Sequence, residues 1–133
     1  MPIQLEIVTP QKRLLSQSVD TVRAPGEDGS FGVLPGHTPY VVALQPGALT
    51  LTTGGRESHY FIGGGFAQVQ DDRVIVLAES AESVESIDLA RAEAALAEAQ
   101  RHLKTLREED DRFLQERARV QRATARIALA RKS

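Results

Sequence analysis

The sequence contains no cysteine. This absence excludes disulfide bonds, thiolate metal ligands and a cysteine nucleophile, and it suits a reducing compartment. No apolar run approaches the roughly 20 residues of a membrane span. The first ten residues carry the acidic Glu6 and no basic cluster, so we predict neither a signal nor a transit peptide. With 133 residues, the chain is expected to form one domain with an appendage and to need no covalent staples.

Glycine and proline are missing from the second half. All ten glycines lie at or before Gly65, and all six prolines lie at or before Pro46. Residues 87–133 are rich in Ala, Leu, Arg, Gln and Glu, so this tail can be helical almost to its end. Residues 1–90 hold five basic and eleven acidic side chains, whereas residues 91–133 hold eleven basic and seven acidic ones. A basic tail suggests a negatively charged partner, although a solvated helical face would also explain it.

Short apolar segments predict β-strands in the first 80 residues. Ile3, Leu5 and Ile7 alternate with polar residues, which is the period of a half-buried strand. We predict that the following strands end at Pro25-Gly26, Pro46-Gly47, Gly54-Gly55, Gly63–Gly65 and Asp71-Asp72. Gly54-Gly55 and Asp71-Asp72 are interpreted as hairpin turns. Many short strands with frequent turns predict a sandwich or a flattened barrel.

The tail shows the periodicity of two helices. We place the first N-cap near Ser86, with Asp88 in the first turn. Apolar residues then recur at alternating intervals of three and four at Leu89, Ala92, Leu96, Ala99, Leu103 and Leu106. A second stripe follows at Phe113, Val120, Ala123, Ile127 and Ala130. The acidic cluster at 108–111 separates the stripes and predicts the turn of an antiparallel hairpin. Because these stripes are rich in alanine, we expect a weakly held hairpin that can open.

No motif predicts an autonomous enzyme. The glycine-rich segments lack the Lys-Ser/Thr of a phosphate loop, so tight turns explain them better. His37, His59 and His102 show no metal-ligand spacing, and no catalytic triad signature occurs. The acidic cluster at 108–111 could bind a divalent ion, but a solvated turn explains it better.

Four arginines in the tail share one helical face. Arg112, Arg119, Arg122 and Arg126 are spaced by seven, three and four residues. Such a face can pair with carboxylates or phosphates. Because aromatic residues are not interleaved with it and the body is acidic, we favour a protein or nucleotide partner over nucleic acid.

Several motifs resemble the epsilon subunit of F-type ATP synthases. They are Pro-Gly-Glu-Asp-Gly-Ser-Phe-Gly-Val-Leu-Pro-Gly-His-Thr-Pro at 25–39, Ala-Leu-Gln-Pro-Gly at 43–47, Gly-Gly-Phe-Ala at 64–67 and Ile-Asp-Leu-Ala-Arg-Ala at 87–92. The resemblance covers nearly the whole chain in the expected order. It implies an all-β sandwich of about ten strands at 1–85, followed by an antiparallel two-helix hairpin at 86–133.

The resemblance also implies a function. Such a subunit is a non-catalytic part of the central stalk that binds the gamma subunit, rests on the c ring and couples proton flow to ATP synthesis. Its helices can extend into the alpha/beta head and inhibit ATP hydrolysis. The implied location is peripheral, on the cytoplasmic face of the bacterial inner membrane. No cofactor is required, although ATP is a candidate regulatory ligand.

Site residues are implied position by position. The residues expected to contact the c ring are Glu27, Asp28, Gly29, Ser30, Phe31 and His37. Those expected to contact the beta subunit in the extended form are Arg119, Arg122 and Arg126. Those expected to bind ATP are Asp88, Arg91, Arg122 and Arg126. ATP-binding relatives tend to carry arginine seven residues after Arg91, where this chain has Glu98, whose charge would repel a triphosphate.

Local explanations and other functions remain open at this point. Asp88 also favours the start of a helix and can pair with Arg91. A stand-alone ATP sensor whose hairpin closes on the nucleotide is the main alternative function. A coiled-coil oligomerisation module is less consistent with the interrupted, alanine-rich stripes.

Overall fold

The computed structural model describes residues 2–33 and 37–132. In these ranges eight strands are followed by a short 3-10 turn and two helices. The strands are β1 Ile3–Val8, β2 Arg13–Val19, β3 Thr21–Gly26, β4 Gly29–Val33, β5 His37–Thr53, β6 Arg56–Asp71, β7 Arg73–Ala78 and β8 Ala81–Ser83. The 3-10 turn is Val84–Ser86, and the helices are α1 Leu89–Thr105 and α2 Asp111–Lys132. The chain divides into two compact units, with the division after Ser83.

The strands form one hydrogen-bonded system with the order β2-β1-β7-β6-β5-β3-β4, and β8 pairs with β6. β1 and β7 are parallel, and the other pairs are antiparallel. An all-β unit followed by two helices confirms the predicted fold class.

The strand count differs from the predicted ten because two strands are long. β5 and β6 span 17 and 16 residues, and Pro46 pairs with Gly63 in an unshifted register. Pro46-Gly47 and Gly63–Gly65 were therefore wrong as strand ends. Gly65 has a φ of +135° and pairs with Ala78 in β7, whereas Ile62 pairs with Ala81 in β8. The three glycines lie where β6 changes partner, and this change needs unusual backbone angles rather than a strand end.

The shorter turns match the prediction more closely. Gly54 and Gly55 have φ values of +58° and +81° and join β5 to β6, as expected for a hairpin. Asp71, with a φ of 55°, leads into the predicted turn before β7. β3 ends at Pro25-Gly26 as predicted, with both residues still part of the strand and Gly26 paired with Gly29 of β4.

The core of the β unit is made of inward-facing aliphatic side chains from most of its strands. In β1 and β7 they follow the two-residue period from which strands were predicted. The largest fully buried ones include Ile3, Leu5, Ile7, Val19, Val22, Leu49, Ile62, Val69, Val74 and Val76.

The N-cap of α1 lies two residues later than predicted. Ser86 is not the N-cap, because Val84–Ser86 forms a 3-10 turn in which the Ile87 N–H donates to the Val84 carbonyl at 3.2 Å. Asp88 is the N-cap instead, and its Oδ1 accepts the Arg91 backbone N–H at 3.1 Å.

The two helices run antiparallel, as predicted. Arg131 near the end of α2 contacts Glu93 near the start of α1, with Nη2 and Oε1 2.8 Å apart. His102 near the end of α1 contacts Glu116 near the start of α2, with Nδ1 and Oε1 3.3 Å apart. The buried apolar residues of α1 and α2, within the described part of the chain, are Ala92, Ala99, Ala123 and Ile127.

Candidate functional site

Charged side chains lie along one edge of the hairpin. With 3.6 residues per turn, Arg91, Glu98 and His102 lie on the same flank of the buried stripe of α1. By the same spacing, Arg119, Arg122 and Arg126 lie on one flank of the buried stripe of α2. The contact of His102 with Glu116, which also binds Arg119, places these flanks on the same edge. We call these six residues the arginine edge. Glu93 and Arg131 pair on the opposite edge.

The two interhelical pairs also set the level of each residue along the hairpin. Interpolating between Glu93–Arg131 and His102–Glu116 places Arg122 at the height of Glu98 and Ala99 along the hairpin axis, nearer to Glu98. At 1.5 Å per residue, Asp88 then lies roughly 16 Å from Arg122 along the hairpin axis. The four residues predicted to bind ATP are therefore distributed along the hairpin axis.

Asp88 and Arg91 have local roles in this structure. The Asp88 carboxylate caps α1 by accepting the Arg91 backbone N–H, which satisfies a donor that helix geometry leaves without a partner. Both residues are solvent-exposed. Neither α1 nor the cap requires a ligand to form.

Glu98 lies on the arginine edge, at nearly the same height along the hairpin axis as Arg122. Its Oε1 is 3.9 Å from the His102 Nε2 one turn later. A carboxylate here lowers the positive potential that Arg91, Arg122 and Arg126 create. The structure therefore keeps the sequence-based objection to tight triphosphate binding.

Glu116 is the most strongly connected carboxylate of the edge. Arg119 Nη1 lies 3.1 Å from both of its oxygens, and His102 approaches from the other helix. Loss of hydration raises the pKa of Glu116, but hydrogen bonds and charges from His102 and Arg119 outweigh it, so that pKa lies below the usual value. Sequence reasoning missed this group because Glu116 occupies an apolar-stripe position of α2, and only the three-residue spacing to Arg119 pointed to it.

The predicted c-ring loop forms the hairpin between β3 and β4. Glu27 and Asp28 lie in the turn, Gly29 has a φ of +127°, and the Glu27 N–H donates to the Ala43 carbonyl at 3.0 Å. A shallow concavity of about 580 Å³ is lined by residues 26–32 and 40–43. Glu27, Asp28, Gly29, Ser30 and Phe31 are thus brought together.

His37 is separated from this turn along the chain. It is the first residue of β5 and lies three residues before Tyr40, which lines the concavity. The strand rise places it roughly 10 Å from Tyr40 along β5. Its side chain lies outside the described part of the structure.

An exposed apolar row on the β unit was missed. Val41, Phe66 and Leu77 are 66%, 56% and 50% exposed. Phe66 pairs with Leu77 on one side and with Ala43 on the other, so these residues share a face of the sheet. The sequence could have indicated this row through Phe66, because in a strand Phe66 points to the same face as the polar Gln68 and Gln70. Exposed apolar residues in one row are typical of a contact surface.

Two further observations concern metals and membranes. Within residues 2–33 and 37–132, no three His, Cys, Asp or Glu residues are grouped so that they could hold a metal ion. The helices that the structure describes include none that is both long and apolar enough to cross a membrane.

The fold and the site together define a two-part binding protein, in which a β unit carrying surface loops is followed by a charged helical hairpin. The family model of the ATP synthase delta/epsilon chain beta-sandwich domain matches residues 2–84. The ATP synthase epsilon chain of Anaeromyxobacter sp. (strain K) is 54% identical over 130 residues, covering 98% of each chain. That of Myxococcus xanthus (strain DK1622) is 49% identical over 128 residues, covering 96% of this chain and 94% of that one.

Solved structures agree with these relatives. A chain of the Euglena gracilis mitochondrial ATP synthase, from a cryo-EM structure of OSCP/F1/c-ring, superposes with a TM-score of 0.80 at 28% identity, covering 96% of this chain and 80% of that one. A chain from the central stalk/c-ring of the Tetrahymena thermophila mitochondrial ATP synthase has a TM-score of 0.58 at 13% identity and supports the fold alone. The chain belongs to the ATP synthase epsilon chain family.

Proposed function

We propose that this chain is a non-catalytic central-stalk subunit of an F-type ATP synthase and that its hairpin is a movable regulatory arm. The observation that carries this proposal is the near-complete match to bacterial epsilon chains. In this role the β unit binds the gamma subunit and the c ring and couples proton flow to ATP synthesis. The subunit is peripheral, on the cytoplasmic face of the bacterial inner membrane, and its link to the membrane is through the complex.

The turn at Glu27–Phe31 is our candidate for the c-ring contact, together with His37. A short hairpin supported by a rigid sheet presents the side chains of the turn in a fixed arrangement. The turn is tightly packed at Gly26, where a Cβ would lie 2.8 Å from the Gly29 carbonyl oxygen. Substitutions at Gly26 are therefore expected to disturb the whole turn.

The hairpin is the candidate inhibitory element. Three of the four buried apolar residues of α1 and α2 in the described part of the chain are alanines, so relatively little apolar area must be exposed when the helices separate. Arg119, Arg122 and Arg126 are then available to pair with carboxylates of the catalytic beta subunit. Arginine suits such a contact because its planar guanidinium binds a carboxylate through two parallel hydrogen bonds.

Deletion of residues 87–133 tests the inhibitory role. In a reconstituted complex, the truncated chain is expected to assemble and to allow faster ATP hydrolysis than the full chain. Unchanged hydrolysis under all nucleotide conditions would contradict inhibition. Loss of assembly would instead assign the tail a structural role.

A matched pair of variants tests the arginines themselves. Arg122→Ala with Arg126→Ala is expected to relieve inhibition while leaving the sandwich almost as stable, because exposed ion pairs contribute about 0–1 kcal/mol. Arg101→Ala with Arg117→Ala removes the same charge from exposed positions outside the arginine edge and is expected to leave inhibition intact. Equal inhibition in both double variants would contradict the assignment.

ATP is proposed only as a weak regulatory ligand of the arginine edge. The edge carries arginines from both helices, but Glu98 lies among them and the four predicted residues are spread along it. Calorimetric titration of the purified subunit with ATP measures this directly. Tight binding to ATP without binding to gamma would favour the stand-alone sensor instead.

A further inference from the structure

Each end of the hairpin is closed by an interhelical ion pair, and the two pairs differ in chemistry. Glu93 and Arg131 close the end at which α1 begins and α2 finishes, with Oε1 and Nη2 2.8 Å apart. His102 and Glu116 close the end next to the turn, with Nδ1 and Oε1 3.3 Å apart. Arginine keeps its charge at all physiological pH values, whereas histidine gains and loses its charge near neutrality. Only the pair next to the turn can therefore respond to small changes in pH.

His102 lies between two carboxylates. Its Nε2 is 3.9 Å from Glu98 on its own helix, and its Nδ1 faces Glu116 on α2. The one cation of α2 in this cluster is Arg119, which is held by both oxygens of Glu116. The His102 side chain is 47% exposed, so its protons exchange with solvent.

Other charged groups lie near the cluster without an ion pair to it among the described residues. On α1 they are Arg101 and Lys104, both exposed. The interhelical turn and the start of α2 add Arg107, Glu108, Glu109, Asp110, Asp111 and Arg112, of which Arg112 lies 3.9 Å from Asp110. Glu85 of the 3-10 turn lies roughly 25 Å from His102 along the hairpin. The ion-pair partners that the structure gives the imidazole are the carboxylates of Glu98 and Glu116.

The dipole of each helix favours the charge that its member of the pair carries. His102 lies in the last turn of α1, where the helix dipole favours a positive charge. Glu116 lies near the beginning of α2, where the dipole favours a negative charge. Each dipole stabilises the charge on its own helix in the closed and the open state alike, so the contact between His102 and Glu116 is what distinguishes the two states.

We propose that His102 makes closure of the hairpin depend on proton concentration, because the charged imidazolium holds Glu116 of α2 more strongly than the neutral imidazole, which can offer only an uncharged hydrogen bond. Closing the hairpin then takes up a proton, and raising the pH favours the open state. This proposal rests on the proposed function only for its consequence, the release of the regulatory arm. The switch itself is a property of the isolated chain.

The direction of the pH effect on closure follows from the charges of Glu116 and His102. Because the pKa of Glu116 is lowered, the stability that its ionised form contributes is complete above the usual carboxyl range and is lost only as the pH falls through the lowered value. Loss of the imidazolium charge removes the cation that faces this carboxylate, so the interhelical pair weakens as the pH rises.

The absence of cysteine allows this to be measured in the full chain. Ala97→Cys and Gln121→Cys place one exposed spin label on each helix, and no native thiol competes with them. Between pH 6 and pH 8 we expect the population with the long, open distance to rise roughly two- to fivefold relative to the population with the short, closed distance. This is the range that a surface ion pair supports. An unchanged ratio would overturn the proposal.

Three substitutions in the labelled chain assign the effect. His102→Gln should remove the pH dependence, and His102→Lys should keep the hairpin closed at pH 8 because the charge is permanent. His59→Gln, in the β unit, should behave as the parent does. Full pH dependence in His102→Gln would overturn the proposal. A pH-dependent opening together with unchanged ATP hydrolysis after deletion of residues 87–133 would instead contradict the proposed function and leave the switch intact.

Discussion

The two units of the chain bury apolar surface in different ways. The core of the β unit consists largely of Ile, Leu, Val and Phe side chains, many of which are less than 2% exposed. The described residues of the helical unit bury Val84, Ala92, Ala99, Ala123 and Ile127. A buried Leu or Ile side chain contributes about 1.5–3 kcal/mol, whereas a methyl-sized group contributes about 0.8 kcal/mol.

This difference teaches which part of the chain can change shape. A sheet with a core of large side chains loses much stability if any strand detaches. A hairpin held by three buried alanines, Ile127 and exposed ion pairs is expected to lose less when its helices separate. We therefore expect the β unit to stay folded under conditions in which the hairpin opens.

The largest effect is expected in the core of the β unit. Leu49→Ala removes a side chain that is 0% exposed and should lower the free energy of unfolding by about 2–5 kcal/mol. Leu114→Ala, at a position that is 68% exposed on α2, is the matched control and should change it by less than about 0.5 kcal/mol. Urea denaturation of both variants measures the difference. Equal losses would show that the β unit is not the stable part of the chain.

A smaller effect is expected where β6 changes partner. Gly65→Ala forces an alanine to a φ of +135° and brings its Cβ against the Leu77 carbonyl oxygen, which should cost about 1–3 kcal/mol or more. Gly32→Ala is the control, because the nearest atom to its Cβ is Nη2 of Arg23 at 3.9 Å. Thermal unfolding of the two variants should separate them clearly. A stable Gly65→Ala chain would contradict the strand geometry described above.

The smallest effect is expected at the start of α1. Asp88→Ala removes the N-cap and should weaken the first turn by about 1 kcal/mol, while Asp88→Asn should retain most of it. Exchange rates of the backbone amides in that turn report the change, and the amides of the β unit should be unaffected. Equal acceleration in both variants would mean that the charge of Asp88, rather than its capping oxygen, matters.

The sequence predicted the fold class because its signals are local and repeated. The alternation in β1, the Gly54-Gly55 turn and the long segment without glycine or proline each act within a few residues. Strand ends were less predictable, since Pro46 and Gly63–Gly65 are common at ends but are also tolerated where two long strands continue to pair. The N-cap was misplaced because Ser86 and Asp88 are both good caps, and the 3-10 turn at Val84–Ser86 decides between them.

The candidate site was predictable only within each helix. The spacing of Arg112, Arg119, Arg122 and Arg126 predicted a shared helical face, and the structure confirms that all four lie in one helix, α2. The level of α2 relative to α1 depends on contacts between distant residues, so the position of Glu98 beside the level of Arg122 and the role of Glu116 required the structure. The exposed row with Phe66 likewise depended on strand register.

Native-state hydrogen exchange tests the separation of the two units most directly. Amides of β1, β6 and β7 should exchange only when the whole chain unfolds, so their exchange should report the free energy of global unfolding. Amides of α1 and α2 should exchange through a local opening with a smaller free energy and a weaker dependence on denaturant. If the amides of both units instead exchanged with one free energy and one denaturant dependence, the chain would open as a single cooperative body, and the hairpin could not act as a separately movable arm.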